Sequence, residues 1–194
     1  METHQPTTMT KPMSDVRSAR MLLVPIALVG IAIVIFAVVW FVVRGSTTSA
    51  SLPKVGAPAP VSEAQLTKLA ATTDHPVYWA GKKSGTYELT RTTDGRIYVR
   101  YLPSTAQVGD SAPRYLTVGT YPQKNAFASI RRAAARPGAI SLKIANGGLM
   151  VFNQLTPKSV YFGYPKTNYQ VEVYDPSPQQ ARSLVLAGSV VPIH

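Results

Sequence analysis

An uninterrupted apolar segment dominates the first quarter of this sequence. Residues 21–43 read MLLVPIALVGIAIVIFAVVWFVV, which is 23 residues without a charged side chain, and Arg20 and Arg44 flank them. A helix of that length extends roughly 35 Å at about 1.5 Å per residue, enough to cross a hydrocarbon core of about 30 Å. A soluble helix of this length would carry a polar face, and this one has none. The segment therefore predicts a single transmembrane helix.

The same segment has one competing interpretation, a cleaved signal peptide. The small residues Thr48-Ser49-Ala50 would suit a peptidase. Signal peptides have an apolar region of only about 7 to 15 residues, so the longer run favours an uncleaved anchor. Three cations precede the segment and two follow it: Lys11, Arg17 and Arg20, then Arg44 and Lys54. This bias predicts a cytoplasmic N-terminus and an extracytoplasmic C-terminal domain at the cell membrane.

Composition divides the rest of the chain into three parts. Residues 1–20 are rich in Thr, Met and Pro without an apolar period, which predicts a disordered cytoplasmic tail. Residues 44–61 are rich in small residues and proline, which is typical of a flexible linker. Residues 62–194 have the size of one common domain. With no cysteine, three histidines and no cofactor motif in the sequence, we expect no disulfide, metal site or cofactor.

Within residues 62–194 the apolar period alternates between helix and strand. Three short helices are predicted, with N-caps at Ser62, Asn125 and Ser177. Eight strands are predicted at 77–80, 87–92, 96–102, 115–120, 140–145, 149–154, 159–164 and 169–174. Asp94-Gly95 and the run 146–148 are typical of hairpin turns. Short connections favour mainly antiparallel sheets with the helices against one face, which is an α+β fold.

Two stretches indicate an internal repeat. Residues 77–80 and 87–89 resemble residues 160–163 and 169–171, and a strand followed by proline and a helix occurs twice. The pattern is that of two related halves. Tyrosine-rich strands would give the same likeness by composition alone, so both interpretations stay open.

Four strand phrases also resemble a known family. They are HPVYWAG at 75–81, TYELTR at 86–91, LTVGTYP at 116–122 and YQVEVYDPSP at 169–178. They are similar to phrases of an uncharacterised family of single-pass membrane proteins from high-GC Gram-positive (actinobacterial) bacteria. The resemblance covers residues 75–187. It implies a bacterial envelope protein and carries over neither an activity nor a functional residue.

The carboxylates offer few candidates for catalysis. Glu88 and Glu172 lie on predicted strands and would be the members of an acid–base pair, with Glu172 on the solvent side of its strand. Asp74 beside His75 is a weaker dyad, because sequence neighbours seldom supply that geometry. Phosphate-binding loops, His-Glu-x-x-His and Gly-x-Ser-x-Gly are absent from the sequence. We therefore expect no catalytic residues, with an extracytoplasmic hydrolase or transferase as the alternative.

Basic residues are the stronger lead, since the formal net charge is +11. Arg131, Arg132 and Arg136 cluster near the end of the second predicted helix, and Lys82 and Lys83 in the first strand connection could extend the cluster. Cations at a helix C-terminus also complement the helix dipole without any ligand. As a binding patch, these five residues predict a phosphate-bearing polymer or anionic lipid head groups.

Together these features predict a non-catalytic binding or structural module of the cell envelope. Its partner would be an envelope protein or an anionic polymer. A cytoplasm-facing domain that binds nucleic acid is an alternative that the charge alone supports. An accessory subunit that uses its membrane helix as an interface is another, although residues 21–43 contain no Gly-x-x-x-Gly motif. The oligomeric state is left open.

The absence of cysteine makes the orientation testable. We expect a single Ser84→Cys variant, placed in a predicted strand connection, to react with a membrane-impermeant thiol reagent on intact cells, because the domain is predicted to lie outside. Labelling that appears only after the membrane is opened would place the domain in the cytoplasm and make nucleic acid the leading partner.

Overall fold

The computed structural model describes residues 51–194. These residues form an α+β fold with three helices and a large antiparallel sheet of eight strands. The predicted tail 1–20 and the predicted membrane helix 21–43 lie outside the described residues. Within the described part of the chain, no helix has the length and apolar character of a membrane span.

The described elements follow one another with short connections. The helices are α1 (Glu63–Ala70), α2 (Ala126–Ala134) and α3 (Pro178–Leu186). The strands are β1 (Ala59–Val61), β2 (Tyr78–Trp79), β3 (Thr86–Arg91), β4 (Ile97–Leu102), β5 (Thr117–Pro122), β6 (Ala139–Lys143), β7 (Leu149–Asn153), β8 (Thr156–Gly163), β9 (Tyr169–Tyr174) and β10 (Val191–Pro192). The order in the large sheet is β1-β3-β4-β5-β9-β8-β7-β6, and β10 pairs with β2 in a small second sheet.

The eight predicted strands are all present as β2 to β9, with ends shifted by a few residues. The hairpin turns at Asp94-Gly95 and at residues 146–148 are confirmed, since they join β3 to β4 and β6 to β7. Two strands were not predicted. One of them, β1, lies inside the range 44–61 assigned to the linker. Its proline-rich sequence resembles a linker, but it pairs with β3, so the folded domain begins earlier than composition indicates.

The helix starts follow their predicted caps to different extents. At α1 the capping box is complete, because the Gln65 N–H donates to Ser62 Oγ at 3.2 Å and the Ser62 N–H donates to Gln65 Oε1 at 2.9 Å. At α3 the Ser177 side chain accepts from the Gln180 N–H. At α2 the N-cap is Asn125 as predicted, but it adopts a left-handed conformation and its side chain makes no capping hydrogen bond.

One face of the large sheet carries the main hydrophobic core. A row of side chains on that face runs across five central strands: Leu89, Val99, Val118, Val173 and Val160. From the helices, Leu66 and Leu69 of α1 and Leu184 of α3 join the same cluster. We call this side of the sheet the core face. The small sheet also lies there, since the Tyr78 N–H of β2 donates to Thr120 Oγ1 at 3.0 Å.

The second helix packs on the opposite side of the sheet, so the prediction that the helices share one face is wrong. Gly163 follows the buried Phe162 on β8 and therefore faces away from the core. Ile130 of α2 lies 3.4 Å from the position that a Cβ on Gly163 would take. The apolar period of a helix shows that it has a buried face but not which side of a sheet receives that face. We call this side the α2 face.

A loop formed by residues 103–116 covers the other end of the α2 face. Beneath it Arg100 donates to Glu88 Oε1 at 2.6 Å, and the Gly109 N–H donates to Glu88 Oε2 at 2.6 Å. Arg100 also donates to the carbonyl of Asp110 at 2.7 Å. The Glu88 side chain is only 1% exposed. This ion pair therefore fastens the loop to β3 and β4.

Further bonds within the loop act on Asp110. The Tyr115 O–H, the Ala112 N–H and the Arg114 guanidinium together lower the pKa of Asp110 to about 2, with the tyrosine hydrogen bond as the largest cause. A carboxyl group whose pKa is depressed by folding stabilises the folded state when it is ionised. The ionised Asp110 therefore stabilises the protein above the ordinary carboxyl pKa, and this stabilisation is lost as the pH falls towards 2.

The buried pair makes a prediction about stability. Arg100→Met should lower the free energy of unfolding by about 3–5 kcal/mol, because it leaves the buried Glu88 carboxylate without its countercharge. The double variant Glu88→Met/Arg100→Met should recover part of that loss. As a control, Arg114→Met removes the solvent-exposed Arg114 from its ion pair with Asp110 and should cost far less stability than Arg100→Met. Chemical denaturation of the four proteins checks this, and equal losses for the Arg100 and Arg114 variants would contradict it.

Candidate functional site

Charge is distributed unevenly along the domain. From residue 111 to residue 171 the chain contains no Asp or Glu. The same stretch contains eight cations: Arg114, Lys124, Arg131, Arg132, Arg136, Lys143, Lys158 and Lys166. It forms β5, α2, β6, β7 and β8. We call residues 111–171 the acid-free segment. Five of the seven carboxylates of residues 51–194 precede it in the sequence.

The net charge of the whole chain does not show where the acids lie, so the sequence analysis missed the acid-free segment. The cluster of Arg131, Arg132 and Arg136 was found and lies within it. A count of acids along the chain would have shown that Lys143 and Lys158 lie in the same stretch without carboxylates as these arginines.

The three arginines lie at the C-terminal end of α2, and all three are exposed. Within residues 51–194, no carboxylate oxygen lies within 4.0 Å of them. Arg132 donates to Ser129 Oγ of the same helix at 2.7 Å, which holds its side chain along the helix surface. These guanidinium groups are therefore free to meet an anionic ligand. We call Arg131, Arg132 and Arg136 the α2 arginines.

The structure does not bring Lys82 and Lys83 to the α2 arginines. They lie between β2 and β3, and Lys82 Nζ is 3.3 Å from Glu63 Oε1 at the start of α1. Because α1 packs on the core face and α2 on the α2 face, the two groups of cations lie on opposite sides of the sheet. The five residues therefore do not form one patch.

Glu172 lies at the centre of the α2 face, on the side of β9 that the alternation predicts. Its carboxylate accepts hydrogen bonds from the hydroxyls of Tyr121 and Tyr161, the latter at 2.9 Å. The Tyr98 ring lies edge-on to the Tyr121 ring, with 5.6 Å between centroids. The hydrogen-bond partners of this carboxylate are therefore two tyrosine hydroxyls.

Gly119 explains how these tyrosines fit together. It pairs directly with Glu172, and a Cβ on Gly119 would lie 2.9 Å from the Tyr121 ring. The Arg96 guanidinium lies over that ring at 5.8 Å from its centroid. The Tyr121 ring is thus held between Gly119, Arg96 and Glu172. Burial, reinforced by the Glu172 charge, raises the pKa of Tyr121 and of Tyr161 above the ordinary value.

Glu88 and Glu172 do not form an acid–base pair. Two strands, β4 and β5, separate β3 from β9, so the two residues are roughly 14 Å apart at about 4.8 Å per strand. A pair of catalytic carboxylates, such as that of a glycosidase, is about 5 to 9.5 Å apart. Glu88 is also sealed beneath its loop. The two residues therefore do not form the closely spaced carboxylate pair that the sequence predicted as one possibility.

Asp74 and His75 line two shallow depressions, of about 310 and 630 Å³. The larger one also contains Lys124 and Lys166. His75 Nδ1 lies 3.1 Å from the carbonyl oxygen of Pro76, so its ring is oriented by the main chain and not by Asp74. Within residues 51–194, no three His, Asp or Glu side chains are grouped so as to hold a metal ion.

Comparisons of this chain with protein-family models, with curated proteins and with solved structures find no match.

Tyrosine ionisation provides a test of the α2 face and of the core. Burial raises the pKa of six phenols above the ordinary value of about 10, and the shift is largest for Tyr78, Tyr101, Tyr121 and Tyr161. A raised pKa in the folded state stabilises the protein below pH about 10, and this contribution is lost as the pH rises further. We expect absorbance titration to show that these last four phenols ionise only when the protein unfolds at high pH.

Tyr121→Phe should remove one phenol from the late-ionising group and leave the early phase unchanged. Ionisation of all ten tyrosines in a single phase, while circular dichroism still reports folded protein, would contradict this assignment.

Proposed function

We propose that this chain is a single-pass membrane protein of the bacterial envelope whose extracytoplasmic domain binds an anionic partner without catalysis. The apolar segment 21–43 and the family resemblance support the location. The acid-free segment and the α2 arginines support the binding role. The partner is an anionic polymer or an acidic envelope protein. Both carry negative charge, and this surface would recognise that charge.

The observation that carries the proposal is that cations gather where carboxylates are missing. Four of the domain's carboxylates already sit beside a cation, as Glu63–Lys82, Glu88–Arg100, Asp94–Arg96 and Asp110–Arg114. Those pairs involve residues 63–114. The α2 arginines have no such internal partner within residues 51–194, so their field extends into solvent, where it attracts a ligand of opposite charge.

We also propose that the two halves of the sheet are related and have diverged in charge. Three strands followed by a helix occur twice, as β3-β4-β5-α2 and β7-β8-β9-α3. In this arrangement residues 160–163 of β8 correspond to β4, and not to residues 77–80 as the phrases in the sequence indicated. Both halves carry cations, but within residues 51–194 the ion pairs Glu88–Arg100, Asp94–Arg96 and Asp110–Arg114 all lie in the first half. The two carboxylates of the second half, Glu172 and Asp175, form no such pair.

A polymer-binding experiment tests the function. We expect the full-length chain in a non-ionic detergent to bind polyphosphate, used as a defined anionic chain, and Arg131→Ala/Arg132→Ala/Arg136→Ala to bind it about tenfold or more weakly. The slope of log affinity against log salt should fall by about two, since each lost contact with a flexible polyanion accounts for about 0.7. Fluorescence anisotropy at several salt concentrations measures both quantities.

The matched control removes three cations elsewhere. Lys54→Ala/Lys82→Ala/Lys83→Ala makes the same change in net charge, outside the acid-free segment. Its affinity for polyphosphate should stay within about threefold of the unmodified chain, the size of effect expected from a change in net charge alone. Equal weakening by the two triple variants would show that binding responds to total charge and not to the α2 arginines.

A further inference from the structure

The two edges of the large sheet differ in their capacity to accept another strand. At one edge, β1 has only three residues and Pro60 stands in its middle. Proline lacks the N–H needed for pairing, and short edge strands with proline are protected against strand addition. At the other edge, β6 has five residues without proline, and Ser141, Leu142 and Lys143 are exposed. Within residues 51–194, only β7 pairs with β6.

Hydrogen bonds at both ends of β6 show which of its backbone groups point outward. The Gln154 N–H donates to the Gly138 carbonyl, and the Ile144 N–H donates to the Gly148 carbonyl. In an antiparallel pair, every second residue exchanges hydrogen bonds with its neighbour strand. Ile140 and Leu142 therefore point their N–H and C=O groups at β7. The groups of Ser141 and Lys143 point away from the sheet.

The side chains of β6 present a different chemistry on each side. Ser141 pairs with Val151, which pairs with Tyr161, so Ser141 and Lys143 stand on the α2 face. The α2 arginines approach this end of the sheet, because the Ala139 N–H donates to the Arg136 carbonyl. On the core face, Leu142 is 41% exposed beyond the cover of α3. The edge is thus cationic on one face and apolar on the other.

Charge decides which strand fits here. A second copy of this chain would bring its own α2 arginines and Lys143 against the same cations, and like charges placed opposite each other are destabilising. A strand with acidic side chains on one face and apolar side chains on the other would match both faces of β6. This choice rests on the proposed function. Of its two candidate partners, an acidic protein can supply such a strand, whereas an anionic polymer cannot.

We propose that β6 is a docking edge for an extended acidic segment of another protein, which adds to the sheet as an antiparallel strand. Its acidic side chains lie beside Lys143 and the α2 arginines, and its apolar side chains lie beside Leu142. Main-chain bonds to Ser141 and Lys143 supply affinity, and the alternation of side chains supplies specificity.

The alternating peptide acetyl-Glu-Val-Glu-Val-Glu-Val-Glu-amide serves as the probe. In antiparallel pairing, residues opposite Ser141 and Lys143 share their face and exchange hydrogen bonds with them. The glutamate N–H groups must therefore point at β6. We expect N-methylation of the three glutamate nitrogens that follow a valine to weaken binding to the full-length chain in non-ionic detergent by about tenfold or more. N-methylation of the valine nitrogens should leave binding unchanged within about twofold, because those groups face solvent.

The two peptides have the same charge and side chains, so their comparison requires no change in the protein. Equal affinity of the two isomers, or a loss confined to the valine isomer, overturns the proposal. Ser141→Pro gives a second test, since it removes one outward N–H and keeps the bonds to β7. It should weaken the unmethylated peptide and leave polyphosphate binding unchanged.

Polyphosphate separates failure of this inference from failure of the proposed function. If polyphosphate binds through the α2 arginines while the peptide isomers do not differ, strand addition is wrong and the proposed function stands. If neither polyphosphate nor any peptide binds, both proposals fail.

Discussion

The pairing of β5 with β9 is the contact on which the rest of this domain depends. Six residues of each strand run antiparallel at the middle of the sheet, and they are the only backbone ladder in the described residues that joins the first four strands to the last four. On the core face, Val118 and Val173 from these strands meet at this junction. On the α2 face, Gly119 makes room for the Tyr121 ring, whose hydroxyl reaches Glu172. A single ladder thus aligns the core on one side and a tyrosine–carboxylate network on the other.

That junction also lies between two regions of different electrostatic character. Before it, four of the five carboxylates within residues 51–116 lie beside a cation, and the buried pair of Glu88 and Arg100 is coupled to the structure of a loop. After it, the chain has cations and no acids until Glu172, whose carboxylate is already engaged by tyrosines. Charges that are paired internally contribute little field at a distance, whereas unpaired charges of one sign add together. The domain is therefore polarised although its two halves have similar strand order.

The local structure could be predicted from the sequence because it depends on neighbouring residues. The Ser62 capping box, the Asp94-Gly95 turn and the alternation of residues 169–174 each depend on a few such residues. Features that depend on residues distant in sequence were not predicted. The pairing of β1 depends on β3, and the side of the sheet that receives α2 depends on its contacts with β7, β8 and β9. The predicted five-residue binding patch failed for the same reason. Lys82 and Arg131 are both cations in the sequence, but the fold places them on opposite sides of the sheet.

An exposed sheet edge normally invites self-association, and proteins commonly protect such edges with charge. In this domain the charges beside the β6 edge are Lys143 and the α2 arginines, which are all positive and form no ion pair within the described residues. They therefore repel strands of the same charge but not acidic strands. Two cationic β6 edges repel each other, but the same field attracts an acidic strand and raises its local concentration before any backbone bond forms. In the proposed strand addition, hydrogen bonds and apolar contact with Leu142 then discriminate an extended segment from a structureless polyanion. Cationic side chains beside an unpaired edge thus oppose assembly of identical copies and favour an acidic partner.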